Sequence, residues 1–134
     1  MSGADLPEDV RRFILTSVPS VPYLEAILLL RAGPEVLWDV PRMAARLYVA
    51  ERQSAEVLTA LAAAGIALSE DQGEIALFRY APATAELRDL LDALAQAYST
   101  HLVGVTHLIH SRTENRAQQF AKAFRLRKDS GKED

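Results

Sequence analysis

Asp39-Val-Pro-Arg-Met-Ala-Ala-Arg-Leu-Tyr-Val49, then Ala50-Glu-Arg-Gln-Ser-Ala-Glu-Val-Leu-Thr-Ala-Leu-Ala-Ala-Ala-Gly-Ile-Ala-Leu68, then Ser69-Glu-Asp-Gln-Gly-Glu-Ile-Ala-Leu-Phe-Arg-Tyr-Ala-Pro82 is the stretch that decides the fold. It reads as two short helices joined by a tight turn and followed by a hairpin. Asp39 is a good N-cap, because its carboxylate accepts from free amides and suits the positive end of a helix. Met43, Ala44 and Leu47 fall on the inner face of the helix it opens, and small Ala44 permits a close helix crossing. Leu47-Tyr48-Val49 reads as an apolar turn. The next helix, residues 51 to 64, is expected to bury Ala55, Leu58, Leu61 and Ala62 and to close at Gly65. Ile66 to Leu68 and Ile75 to Tyr80 read as strands around Glu70-Asp-Gln-Gly73, where Gly73 supplies the positive φ that a turn of this kind needs.

Working outward, Asp5 and Pro7 open a first helix whose Val10, Phe13 and Ile14 share a face and which stops before Pro19. Ser20 caps a second, with Pro22 in its first turn and Leu24, Ile27 and Leu28 turned to the core, ended by Gly33-Pro34. Val36-Leu-Trp38 is a short extended piece that adds a third strand beside the hairpin, with Trp38 packed at its base. From Thr84 one long helix is expected to reach His110, carrying Leu87, Leu91, Leu94, Tyr98, Leu102, Val105 and Ile109 at three- and four-residue steps. At about 1.5 Å per residue it would approach 40 Å, and Gly104 would sit inside it as a weak point or a close crossing. Ser111 and Glu114 form a capping box for a last helix with Ala117, Phe120, Ala121 and Phe124 on one apolar stripe. The tail from Asp129 is polar.

The composition narrows the classes of function. A chain of 134 residues is expected to form a single domain, 1-134, with a core at 21-82 and flanking helices at 5-18 and 84-128. The sequence holds no cysteine, which removes disulfides and thiolate chemistry and suits a cytoplasmic location. No secretory signal is visible at the start. The longest apolar run, Ala26 to Leu30, is far below the roughly 20 residues that span a bilayer, so no membrane partner is expected. A formal net charge of -3 gives no global attraction to phosphates. Catalytic motifs are missing: there is no phosphate-cradling glycine loop and no nucleophile motif around a serine. No cofactor is expected, and the chain is read as not an enzyme.

The order of elements from Val21 to Pro82 resembles the winged helix-turn-helix of bacterial transcriptional regulators, broadly the MarR-like and ArsR-like kinds. The resemblance implies a mainly α protein with a small β-hairpin wing, and a long C-terminal helix that makes a homodimer. It also implies that residues 51 to 64 form the recognition helix and Ser69 to Glu74 the wing tip. On that footing Arg52, Gln53, Ser54 and Thr59 face DNA bases, and Arg42, Arg46 and Arg79 meet phosphates. Leu91, Leu94, Tyr98, Leu102, Val105 and Ile109 are the expected dimer interface. The charge pattern runs the other way, since Glu51 and Glu56 flank the reading positions and Glu70, Asp71 and Glu74 occupy the wing tip. A second reading therefore stands beside the first: a winged helix that docks protein, its acidic face meeting a basic partner.

Three further groups carry weight. Arg116, Lys122, Arg125, Arg127 and Lys128 form a basic stretch with no acid among them. It could clamp a phosphate backbone, attract an acidic partner, or simply be a solvated helix face. His107 and His110, one turn apart, and His101 before them, read as packed or interfacial residues, because no carboxylate near them in sequence completes a metal site. Tyr98 and Tyr80 are expected in a helix interface or, in a ligand-responsive protein, in a pocket between the long helix and the winged core.

Overall fold

The computed structural model describes residues 6–111 and residue 121. Its elements are α1 (Glu8–Ser17), α2 (Val21–Ala32), α3 (Val40–Leu47), α4 (Glu51–Ala63), β1 (Ala67–Gln72), β2 (Ile75–Tyr80) and α5 (Ala85–Thr100), followed by α6 (Leu102–Ser111). This is a winged-helix fold, mainly helical with one antiparallel hairpin. No single helix among the described residues is long and apolar enough to cross a membrane.

The helix starts follow the capping chemistry in the sequence. The Ser20 hydroxyl accepts from the Tyr23 amide at 3.3 Å, and the Asp39 carboxylate accepts from the Arg42 amide at 2.8 Å. Each cap stands two residues before a proline in the first turn, where no amide is needed. α4 ends in a Schellman arrangement: Gly65, at φ 78, donates to the Ala62 carbonyl, and Ile66 donates to Leu61. A side chain at Gly65 would also crowd Ala83, whose Cβ would stand 3.2 Å away.

The hairpin is longer than the sequence pattern indicates. β1 runs through Glu70, Asp71 and Gln72 to a two-residue turn at Gly73-Glu74, with Gln72 opposite Ile75 and Ala67 opposite Tyr80. Gly73, at φ 65, takes the backbone angle that such a tight turn demands. Trp38 pairs with Phe78 through two backbone hydrogen bonds of 2.8 and 2.9 Å, so the expected third strand is a single bridge.

One apolar cluster draws on all six helices and the hairpin. Ile14, Leu24, Ile27, Leu30, Met43, Leu58, Leu61, Ile66, Leu91, Leu94 and Ile109 are fully enclosed in it. α1 packs on α5, α2 meets α3, α4 and β2, and α3 crosses α4. Arg31 at the end of α2 is tied to Asp92 of α5 by a 2.9 Å ion pair on the surface, worth at most about 1 kcal/mol.

The expected single helix from Thr84 to His110 is corrected. It breaks at His101, whose φ of −134 and ψ of 49 leave the helical region. Just before the break, the Ser99 and Thr100 hydroxyls donate back to the Gln96 carbonyl at 2.9 and 3.0 Å, local bonds that compete with the helical ladder. The His101 carbonyl then accepts from the Val105 amide to start α6. Val105 and Ile109 consequently join the same core as α5. Gly104 falls in the first turn of α6, where its conformational cost is smaller; Ser111 is helical, and Glu114 with the last helix expected beyond it lies outside the described residues.

Tyr80 is buried, and its hydroxyl has no hydrogen-bond partner among the described residues. Burial raises its pKa above the ordinary 10.0, the Asp92 carboxylate adds to the rise, and Arg31 and Arg88 oppose it. As pH climbs past 10 the unfolded chain loses this proton first. Stability present below pH 10 is therefore lost as pH rises through the folded-state pKa. Tyr80→Phe removes the orphaned hydroxyl, so urea denaturation at pH 8 should show a change within about 1 kcal/mol of the parent or a gain. At pH 10.5 the variant should lose less stability than the parent does.

Candidate nucleic-acid interface

α4 has two faces of opposite character. Ser54, Val57, Leu58 and Leu61 point into the core, while Glu51, Arg52, Gln53, Glu56, Thr59 and Ala60 are exposed. The inward stripe has the steps i, i+3, i+4 and i+7 of a buried helix face, displaced from the expected Ala55, Leu58, Leu61 and Ala62. Ala55 and Ala62 are only half-buried.

Ser54 is therefore corrected as a base-facing residue. It is fully enclosed, the one buried polar residue among the described residues, and its hydroxyl donates to the Val40 carbonyl at 2.9 Å. That bond joins the first turn of α4 to the first turn of α3. The sequence signal for it was present: a small hydroxyl residue three, four and seven positions before Val57, Leu58 and Leu61 belongs to their stripe.

The other positions expected to face bases stand outside. Arg52 is 91% exposed and lies 3.9 Å from Glu56, a loose ion pair one turn along the same face. Gln53 and Thr59 are exposed beside it. Arg42 places its guanidinium over the Trp38 ring, 4.7 Å from the centroid, which fixes the arm while leaving it on the surface. Arg46 is exposed near the end of α3.

The wing departs from expectation at Arg79. Its guanidinium donates to the Glu70 carboxylate at 2.9 Å across the hairpin, so the expected phosphate contact is held by an acid of the opposite strand. Asp71 and Glu74 lie exposed beyond it. The Leu47-Tyr48-Val49 turn is also corrected as an apolar unit. Leu47 is buried and Val49 half-buried, but Tyr48 is 94% exposed and takes a left-handed φ of 58.

The expected dimer contacts divide in the same way. Leu91, Leu94, Val105 and Ile109 are buried within the chain itself, because the break at His101 folds α6 onto the body. They are corrected as surface available to a second copy. Leu102, 51% exposed, remains outside, where it lines an open groove of about 280 Å³ with Val103, Thr106, His107 and His110. Among the described residues no group of three or more His, Asp or Glu gathers as a metal site. Tyr80 does not line the groove that holds Tyr98. Tyr98 lines an open groove of about 270 Å³ with Glu25, Leu28, Leu29, Arg46 and Leu47, and burial followed by the Glu25 charge raises its pKa. The basic residues Arg116, Lys122, Arg125, Arg127 and Lys128, with Phe120 and Phe124, lie outside the described residues.

No protein-family model matches the sequence, and no curated protein does. Two solved structures are similar in shape. One, described as a possible transcriptional regulator from Methanosarcina mazei Go1, is 13% identical with a TM-score of 0.48, over 71% of this chain and 81% of its own. The other is a cysteine-to-serine mutant of Lactococcus lactis ZitR in complex with DNA, 12% identical with a TM-score of 0.48, over 82% of this chain and 73% of its own.

Replacing Ser54 by Ala removes the bond to the Val40 carbonyl that ties α4 to α3. Chemical denaturation should register a loss of about 1 kcal/mol, whereas Gln53→Ala, on the open face, should fall within about 0.5 kcal/mol of the parent.

Proposed function

We propose that the chain is a non-enzymatic winged-helix protein of the transcriptional-regulator type, of the MarR-like or ArsR-like kind, that sets α4 into the major groove of DNA. The observation that carries this reading is the outward face of α4, which the core supports from behind and leaves open along Arg52, Gln53 and Thr59. Arg52 and Gln53 have the donor geometry for guanine and adenine edges. Arg42, braced on Trp38, and Arg46 meet the sugar-phosphate wall.

The acids set the terms of that binding. Glu51, Glu56, Asp71 and Glu74 oppose phosphate, so affinity rests on a few arginines, and its salt dependence reports how many of them meet phosphate. A second reading is favoured by the two ion pairs, Arg52–Glu56 and Arg79–Glu70: the same face docks a basic protein and no DNA. Homodimerisation, expected from the resemblance, remains part of the first reading, with Leu102 as the exposed member of its contact set.

Fluorescence anisotropy with a labelled duplex near 20 mM salt separates the readings. Under the DNA reading the parent binds, Arg52→Ala loses sequence preference by about 1–3 kcal/mol, and Asp71→Lys with Glu74→Lys tightens binding. Absence of binding by the parent at low salt removes the DNA reading, since even nonspecific attraction shows itself there.

A further inference from the structure

Tyr48 is the most exposed large apolar side chain among the described residues, at 94%, and it occupies the turn between α3 and α4. It is also the only non-glycine residue with positive φ among them. The backbone requires that angle. Tyr48 and Val49 both donate their amides to the Ala44 carbonyl, closing α3, and the left-handed residue reverses the chain so that Val49 turns back to the core. Glycine meets the same need without the steric penalty that a β-carbon brings to this region, and asparagine offsets that penalty with local hydrogen bonds of its side chain. The turn thus carries a side chain that its own geometry disfavours and that the fold leaves almost wholly in solvent. Strain of this kind at an exposed position points to a role outside the folded chain.

Its neighbours indicate the ligand. Arg46 lies two residues before it and Arg52 four residues after it, both exposed. These are the arginines that the docking of α4 sets along the phosphate wall and the base edges. A phenol here is a neutral donor on a stiff arm with few rotatable bonds, and its contact with phosphate is not repelled by Glu51 as an anion would be. We propose that Tyr48 is a DNA-contact residue whose hydroxyl donates to a backbone phosphate beside the entry point of α4. This assignment rests on the DNA reading given above and adds to it a contact residue that the sequence pattern did not supply.

The experiment measures duplex affinity against salt concentration for the full chain, Tyr48→Phe, Tyr48→Gly and Arg46→Ala, with thermal denaturation of each. Tyr48→Phe should weaken binding roughly two- to tenfold at every salt concentration, with the slope of log affinity against log salt unchanged, because a neutral donor releases no counterion. Arg46→Ala should lower that slope by about one. Tyr48→Gly should bind still more weakly while keeping a Tm no lower than the parent's. Parent-like affinity in Tyr48→Phe overturns the assignment with the DNA reading intact. A Tm several degrees lower in Tyr48→Gly overturns it by showing that the ring holds the turn. A parent that fails to bind duplex at low salt overturns the DNA reading and this contact together, and leaves a protein partner as the occupant of the face.

Discussion

The helix α4 must bury Ser54, Val57, Leu58 and Leu61, and this constraint organises the functional half of the molecule. Three of these side chains gain by leaving water. The fourth, Ser54, is a polar group that would be costly to bury alone, and its bond to the Val40 carbonyl offsets that cost. The same bond fixes where α4 begins relative to α3. Once the inward stripe is set, the helical period places Arg52, Gln53, Glu56 and Thr59 on the other side. The outward face is therefore a consequence of core packing, and Arg42 is held beside it by Trp38, which in turn is paired to the wing strand at Phe78.

Charge is the second determinant. The module presents arginines at the helix pair and acids at the wing, and two of the arginines already sit beside glutamates. Exposed pairs of this type are weak, at most about 1 kcal/mol each, so a stronger anion could displace them. Arg52–Glu56, at 3.9 Å with both partners largely exposed, is the looser of the two. Arg79–Glu70, at 2.9 Å and half-buried, is the firmer and removes Arg79 from ready use. Under the DNA reading proposed above, the attraction at Arg42, Arg46 and Arg52 has to outweigh the repulsion at Glu51, Asp71 and Glu74.

Much of the fold was legible in the residues. Ser20 and Asp39 announced their helices because a short acceptor side chain two residues before a proline matches a cap and first turn, and Gly65 announced the end of α4. The phase of α4 is poorly marked in its residues. Alanines at 55, 60, 62, 63 and 64 mark no face clearly, and reading Ala55 as inward displaced Ser54 outward. The length of β1 was hidden for a different reason: Ser69 to Gln72 have little strand propensity, and the strand exists because β2 pairs with it. The break at His101 is masked in the sequence because Leu94, Tyr98, Leu102, Val105 and Ile109 keep helical spacing across it. The hydroxyls of Ser99 and Thr100 carried the contrary signal. No pattern in the sequence shows that Tyr48 takes a left-handed backbone, since that follows from how Val49 must return to the core.

Chemical-shift mapping of the isotope-labelled protein on addition of duplex at low salt tests the central claim directly. The account predicts shifts concentrated in the exposed residues of α4, in the turn at Tyr48, and at Arg42 and Arg46, with α1 and α5 unmoved. Shifts confined to α5 and α6, or none at saturating duplex, would contradict it.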